Sequence, residues 1–418
     1  MINRKLALKA LASAAVVGMA LTGCSTIAET ESGKTRLVVS TSSPQHLVPV
    51  EAAFEAEYPD IDMVVPPIGA EGYNSIMQTQ LASGAGPDIF GIFPGTGESL
   101  TNKVLAERGF IKELKGDWID QIPASMQRLY RMDDGKVFAA PGSTASVGIL
   151  WNHTALEKIG AEPAATISEV FDLCKLARSN GLPLFSVGAK DAWSGQTLSF
   201  ALAAQLVYGP DPDFNAKLAA GEATFADSKW VDVYELNKKL IDNECFQDGP
   251  TGIGFDEARK MVTDGRSVAM VNYGRVAKAE AESPGTVFTY THFPATDDPE
   301  YKMMALDSST GFAINAKTKE SEAAQKFIDF ITSDTGQAAY AYGSGLLPTL
   351  PSPSFEADET GRMLLDAIEA GYARPFASAD WANLSVAETL FVEVQNLYVG
   401  KTTPRQVTER MDEAYTGD

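Results

Sequence analysis

Arg36-Leu37-Val38-Val39-Ser40 is a short apolar run that predicts a buried strand. A polar loop follows from Ser40 to Pro44. Leu47, Val50 and Phe54 then recur at helical spacing, and the helix is expected to stop before Tyr58-Pro59-Asp60. Ile61 to Val65 alternates weakly and predicts a second strand. The order is strand, helix, strand. Such a unit pairs its two strands in parallel through a right-handed crossover.

The same alternation continues downstream. Thr166-Ile167-Ser168-Glu169 is a capping box, and Val170, Leu173, Cys174 and Ala177 fall on one face of the helix it starts. Ala324, Phe327, Ile328 and Ile331 mark another amphipathic helix. Thr403-Pro404 places a cap before a proline at the first helical position, with Val407, Met411 and Ala414 along one side. No short repeat or low-complexity tract follows residue 36. The fold class is therefore α/β. A body of about 380 residues exceeds what one compact core holds, so two lobes are expected.

Upstream, Arg4, Lys5 and Lys9 precede an apolar run from Ala10 to Leu21, then Leu21-Thr22-Gly23-Cys24. A basic start, a short apolar segment and small residues before a cut site describe a secretory signal over residues 1–23. The apolar run is too short for a stable bilayer span. Leu-Thr-Gly-Cys resembles the bacterial lipobox, which implies lipidation of Cys24 and anchoring by several acyl chains at the outer face of the cell membrane. Residues 24–35 are small and polar and read as a flexible tether.

The formal net charge is −21. Arg4, Lys5 and Lys9 are the only charged residues before Cys24, so the chain from Cys24 onward carries −24. This balance excludes nucleic acid as an expected partner and disfavours an anionic ligand. With Cys24 lipidated, Cys174 and Cys245 remain. An oxidising compartment permits a disulfide, and two buried free thiols fit equally well. Sequence separation does not decide between them.

Several segments, taken in order, resemble the family 1 extracellular solute-binding proteins of the maltose-binding type. They are Gly86-Pro87-Asp88-Ile89-Phe90, Asp134-Gly135-Lys136-Val137-Phe138-Ala139-Ala140-Pro141, and Ile149-Leu150-Trp151-Asn152 with Leu156-Glu157-Lys158-Ile159-Gly160 after it. Further along come Asp264-Gly265-Arg266-Ser267-Val268-Ala269-Met270, Gly311-Phe312-Ala313-Ile314, Ser344-Gly345-Leu346-Leu347-Pro348-Thr349, and Tyr398-Val399-Gly400-Lys401-Thr402-Thr403-Pro404. The resemblance spans nearly the whole chain after the tether. It implies a two-lobe periplasmic-binding-protein-like fold (type II), each lobe a sheet flanked by helices, with three hinge crossovers. Carried onto this chain, the crossovers fall near residues 145–150, 308–313 and 346–351. The first lobe is then 36–145 plus 312–347, and the second is 146–311 plus 348–418. The implied function is capture of a sugar or oligosaccharide in the cleft by a monomer that delivers it to the permease subunits of an ABC importer.

Sugars present hydroxyl rims and weakly apolar C–H faces, so aromatic rings and planar polar groups on cleft loops are the candidates. Trp193, in a polar loop from Ala189 to Gln196, and Trp381, in Ser378-Ala379-Asp380-Trp381-Ala382-Asn383, are the leading rings. The alternative for each is packing beneath the next helix. Tyr73 after Glu71-Gly72, and Tyr273 in Val271-Asn272-Tyr273-Gly274-Arg275, are further rings, with Glu71 as a polar partner. The family often carries tryptophan where this chain has Val276. Gln45, Asp307 and Ser308 fall in regions that contact ligand in the family, with turn or cap chemistry as the alternative. Trp151, Trp118 and Trp230 read as structural, and Asp88 as a loop tie.

No catalytic residue, metal site or cofactor is assigned. His46, His153 and His292 are isolated, and neither a His-Glu-x-x-His nor a Gly-x-Ser-x-Gly pattern occurs. Gly33-Lys34-Thr35 and Gly400-Lys401-Thr402 resemble the end of a P-loop, but Ala28 and Gln395 stand where its first glycine is required. The alternatives are a binder of a polyamine, peptide or metal complex, or a surface-anchored glycoside hydrolase or lyase.

Overall fold

The computed structural model describes residues 33–69, 72–97, 99–274, 276–383 and 385–417. Cys24, the signal segment and Glu71 lie outside the described residues. The tether is described only from residue 33. Ten strands occur among the described residues: β1 Thr35–Ser40, β2 Ile61–Val64, β3 Ile89–Ile92, β4 Ala140–Asn152, β5 Phe185–Ser186, β6 Ala269–Tyr273, β7 Phe288–Thr291, β8 Met304–Ile314, β9 Leu347–Pro348 and β10 Ala373–Pro375.

The opening unit forms as read. β1 and β2 are parallel, with Thr35 opposite Ile61, and helix Val48–Glu57 connects them after a 3₁₀ turn at Pro44–Leu47. Val50 and Phe54 are fully buried, and the Phe54 ring meets those of Phe327 and Phe330 at 5.7 and 5.5 Å. Asp88 ties more than its own loop: its carboxylate accepts from the backbone N–H of Val38 at 2.9 Å and from the Thr318 hydroxyl.

Two long strands explain how one sheet serves two lobes. Met304–Leu306 at the start of β8 pair with β10, whereas Gly311–Ile314 at its end pair with β3. β4 runs antiparallel to β8 from Ala140 to Val147 and then pairs with β6 and β7 from Val147 to Asn152. β9 lies against Ser143 and Thr144 of β4, where the Thr144 and Thr349 hydroxyls are 2.8 Å apart. The three crossing segments are therefore neighbours at one place in the sheet, and the fold is the two-lobe α/β architecture.

Each lobe has its own hydrophobic core. Leu37, Val39, Phe54, Phe90, Phe312 and Phe327 belong to the first, which continues across the hinge strands to Met270 and Tyr290. Trp151, Phe185, Phe200, Phe225, Trp230 and Trp381 belong to the second. Burial of each such side chain contributes about 1.5–3 kcal/mol. The helices Ile167–Ser179 and Pro404–Thr416 both begin with complete capping boxes, at Thr166 and Thr403. Cys174 and Cys245 are joined in a disulfide, with Cα atoms 4.8 Å apart. The thiols that the sequence left open are thus a crosslink in the second lobe.

Candidate functional site

The site is built by two loops that approach from opposite lobes. One follows β3 and includes Phe93-Pro94-Gly95-Thr96-Gly97. Its shape is held by Asn102, which is fully buried. Asn102 accepts from the Gly95 N–H through Oδ1 at 2.8 Å and donates through Nδ2 to the carbonyls of Leu129 and Tyr130, at 2.9 and 3.3 Å. A planar amide with donors and an acceptor can join two segments in this way. Asn102 therefore fixes both the loop and the short helix Gln127–Tyr130 that carries Arg128.

The opposing loop is Phe376 to Trp381, which leaves β10 as a 3₁₀ turn. It is held from the second lobe by Asn215, which donates to the Ala377 carbonyl at 2.9 Å and accepts from the Tyr208 hydroxyl at 2.8 Å. Tyr208 sits in a π-helical turn, Ala204–Tyr208, that extends helix Gly195–Ala203. Burial pushes its pKa well up, so it stays a neutral donor.

Between the loops lies a cavity of about 70 Å³. Phe93, Thr101 and Leu129 come from the first lobe, Gln196, Tyr273, Phe376 and Ser378 from the second, and Leu306 and Asp307 from β8 between them. The rings of Tyr273 and Phe376 are 6.4 Å apart. Thr101 is only 1% exposed, and its Oγ1 has no hydrogen-bond partner among the described residues. A buried hydroxyl left this way costs about 1–3 kcal/mol unless a bound molecule satisfies it. A larger cavity of about 170 Å³ lies by the hinge, lined largely by apolar groups such as Ala145, Leu346, Leu347 and Leu364. Its rings, Tyr342 and Phe355, also stand beside buried hydroxyls, but those of Thr144 and Ser146 are already hydrogen-bonded, to the hydroxyls of Thr349 and Tyr290. Among the described residues no group of three or more His, Cys, Asp or Glu is placed to hold a metal ion.

The loops also touch each other directly. The Thr96 N–H donates to the Ala379 carbonyl at 2.8 Å, and its hydroxyl donates to the Trp381 carbonyl at 3.0 Å. Arg128 Nε lies 2.9 Å from Asp380 Oδ2. Desolvation raises the Asp380 pKa, opposed by the charges of Arg128 and Lys103. A Cβ on Gly95 would overlap the Ala379 carbonyl oxygen, and one on Gly97 the Ser378 carbonyl oxygen. Glycine is the residue that lets backbones meet this closely.

The residues expected from sequence divide into three groups. Tyr273 and Asp307 line the cavity. Trp193 is 37% exposed and lies against Phe255, ring centroids 4.7 Å apart; it is outside the cavity but three residues before Gln196, which lines it. Gln45 is exposed in the Pro44–Leu47 turn and does not line the cavity. Ser308 pairs with Thr144 through the backbone of β8.

Two of the expected rings are buried. Trp381 presents no face to the cleft: it is 1% exposed and packs against Phe225, Trp230 and Phe200 at 5.3, 5.8 and 6.1 Å. Its indole drives burial into the second core, and only its backbone carbonyl reaches the other lobe. Tyr73 is likewise buried, sharing its hydroxyl proton between the carbonyls of Ser40 and Gly91 at 3.0 and 3.1 Å. It braces β1 and β3. Trp151, Trp118 and Trp230 are buried, as read.

Phe93, Thr101, Gln196, Phe376, Arg128 and Asp380 were not singled out from sequence. The Gly95-Thr96-Gly97 spacing directly after a strand was an available signal for a close backbone approach.

Comparison with known proteins supplies the family. Residues 46–338 match the family model described as bacterial extracellular solute-binding protein. The melibiose/raffinose/stachyose-binding protein MelE of Bacillus subtilis (strain 168) is 24% identical over 194 residues, which cover 45% of this chain and 43% of that protein. A probable sugar-binding periplasmic protein of Rhizobium meliloti (strain 1021) is 25% identical over 283 residues, covering 63% of this chain and 66% of that one. The match thus spans less than two thirds of either relative. The solved structure of a chitin oligosaccharide binding protein superposes with a TM-score of 0.77 at 19% identity, covering 92% of this chain and 98% of that one. With most of its length matched by the family model and the two-lobe fold in place, the chain belongs to the bacterial extracellular solute-binding proteins.

Proposed function

We propose that this protein captures a sugar or small oligosaccharide between its lobes and delivers it to the permease subunits of an ABC importer. The carrying observation is the inter-lobe cavity, which sets the rings of Phe93, Tyr273 and Phe376 beside the Thr101 hydroxyl, the Gln196 amide and the Asp307 carboxylate. Rings attract polarised C–H faces, while the polar groups bond hydroxyls. Only a closed cleft presents both sets together, so binding favours closure. Sugar ligands named for the relatives support this chemistry.

The lobes are taken as 36–145 plus 312–347 and 146–311 plus 348–418, with the protein acting as a monomer. Trp193 and Phe255 offer a second stacking surface for a ligand longer than the cavity. Lipid on Cys24 anchors the chain to the outer face of the membrane, and palmitate labelling that disappears in Cys24→Ala tests this. No helix among the described residues is long and apolar enough to cross a membrane.

Isothermal calorimetry with raffinose, stachyose, a chitin oligosaccharide, spermidine and a short peptide tests the ligand class. Saturable binding of one sugar, recovered intact by chromatography, is expected. Binding of spermidine or peptide alone overturns the sugar assignment, and a consumed sugar indicates a hydrolase.

A further inference from the structure

Direct protein–protein contacts join the two cavity-lining loops. They sit on the Phe93–Gly97 loop and Arg128 on one side, and on Ser378 to Trp381 on the other. Each side is braced from within its own lobe, by Asn102 and by Asn215. A pair mounted on braced supports loses less side-chain freedom on forming than one between two mobile loops. We propose that Arg128 and Asp380 are positioning residues for ligand capture: their ion pair seats the Thr96 backbone against Ala379 and so sets the width of the cavity.

Three observations favour this over an incidental surface pair. First, Asp380 is mostly covered, its side chain 18% exposed against 50% for Arg128, so the pair is less screened than one open on both sides. Second, the glycines at 95 and 97 leave no Cβ where the Ser378 and Ala379 carbonyls arrive, so the backbones meet at hydrogen-bonding distance beside the pair. Third, the Asp380 turn begins directly after Phe376, which lines the cavity, and Arg128 is adjacent to Leu129, which also lines it. Moving either charged residue therefore moves a cavity wall. Because these contacts do not involve the ligand, they bias the open–closed equilibrium by a fixed amount, which adds to whatever differential affinity the ligand supplies.

This inference rests on the proposed sugar capture only for its affinity arm, and the test separates the two. The full chain is compared with Arg128→Ala, Asp380→Ala, the double variant and Asp380→Glu, each first shown to melt cooperatively near the parent. Without added ligand, hydrogen exchange of the Thr96 amide is followed, with the radius of gyration from solution scattering. Each alanine variant is expected to speed Thr96 exchange about five-fold, the scale of one partly covered ion pair, and to raise the radius of gyration. The double variant is expected to open no further than either single, and Asp380→Glu to restore protection. Unchanged Thr96 exchange, or single effects that simply add, overturns the proposal. In the affinity arm, raffinose is expected to bind each alanine variant about five-fold more weakly, with the loss in the dissociation rate. Failure of raffinose to bind any variant, parent included, counts against the sugar reading, while the exchange data still decide the role of the pair.

Discussion

Gly97 and Ser378 face each other across the lobes so closely that a Cβ on the glycine would overlap the Ser378 carbonyl oxygen. At this contact backbone meets backbone, with no side chain of Gly97 to adjust. Gly97→Ala is therefore expected to hold the lobes apart. A ligand that needs the closed state then binds at least about ten-fold more weakly. Calorimetry with the sugar that binds the parent checks this, and unchanged affinity would show that ligand is held in a more open form.

The two tryptophans of the polar stretches, Trp193 and Trp381, are expected to behave differently on substitution. Trp381→Ala removes a fully buried ring and should cost about 3–5 kcal/mol in stability, seen as a lower denaturation midpoint. Trp193→Ala trims a ring that is 37% exposed and should leave the midpoint close to the parent's. If Trp193 forms the outer stacking surface, the same variant weakens a tetrasaccharide more than a disaccharide.

Thr101→Val keeps the shape of the side chain and removes a hydroxyl that has no partner among the described residues. If the ligand bonds that hydroxyl, affinity drops about ten-fold while the ligand-free protein is no less stable. Titration of the variant beside thermal melting reads both quantities. A stability loss without an affinity loss would place the hydroxyl in the fold instead.

The disulfide closes a long loop, since Cys174 and Cys245 are 71 residues apart. Cys174→Ala with Cys245→Ala is expected to lower stability by about 3–4 kcal/mol, and dithiothreitol to have a similar effect on the parent. Urea unfolding of both proteins, with and without reductant, checks the size and shows whether reductant acts only on the parent.

His292 gives the stability an acid limb. Burial, with the Lys302 charge nearby, lowers its pKa from 6.5 to about 4. The unfolded chain therefore takes up a proton as pH falls below about 6.5, while the folded chain stays neutral until about 4. The contribution is fully present above 6.5 and is lost on going down through that window, by up to roughly 3 kcal/mol at 1.36 kcal/mol per pKa unit. Chemical denaturation at pH 7, 5.5 and 4.5 measures it, and His292→Phe should flatten the slope.

Local sequence determined a good part of this protein. The strand at 35–40, the Val48–Glu57 helix, the caps at Thr166 and Thr403, and the buried Trp151 all follow from periodicity and side-chain chemistry acting within a few residues. The resemblance of ordered segments across the chain to the solute-binding family further implied two lobes with three crossovers. What the tertiary structure decided is which surfaces meet. Trp381 and Trp193 sit in similar polar stretches, yet one ring fills the core between Phe225 and Trp230 and the other lies on the surface against Phe255. Asp380 and Arg128 are distant in sequence, as are Cys174 and Cys245, and neither pair has a local signature. Caps and amphipathic faces are short-range properties that the chain carries in its own neighbourhood. A cavity is made by residues from both lobes, so its members are defined only once folding has brought those lobes together.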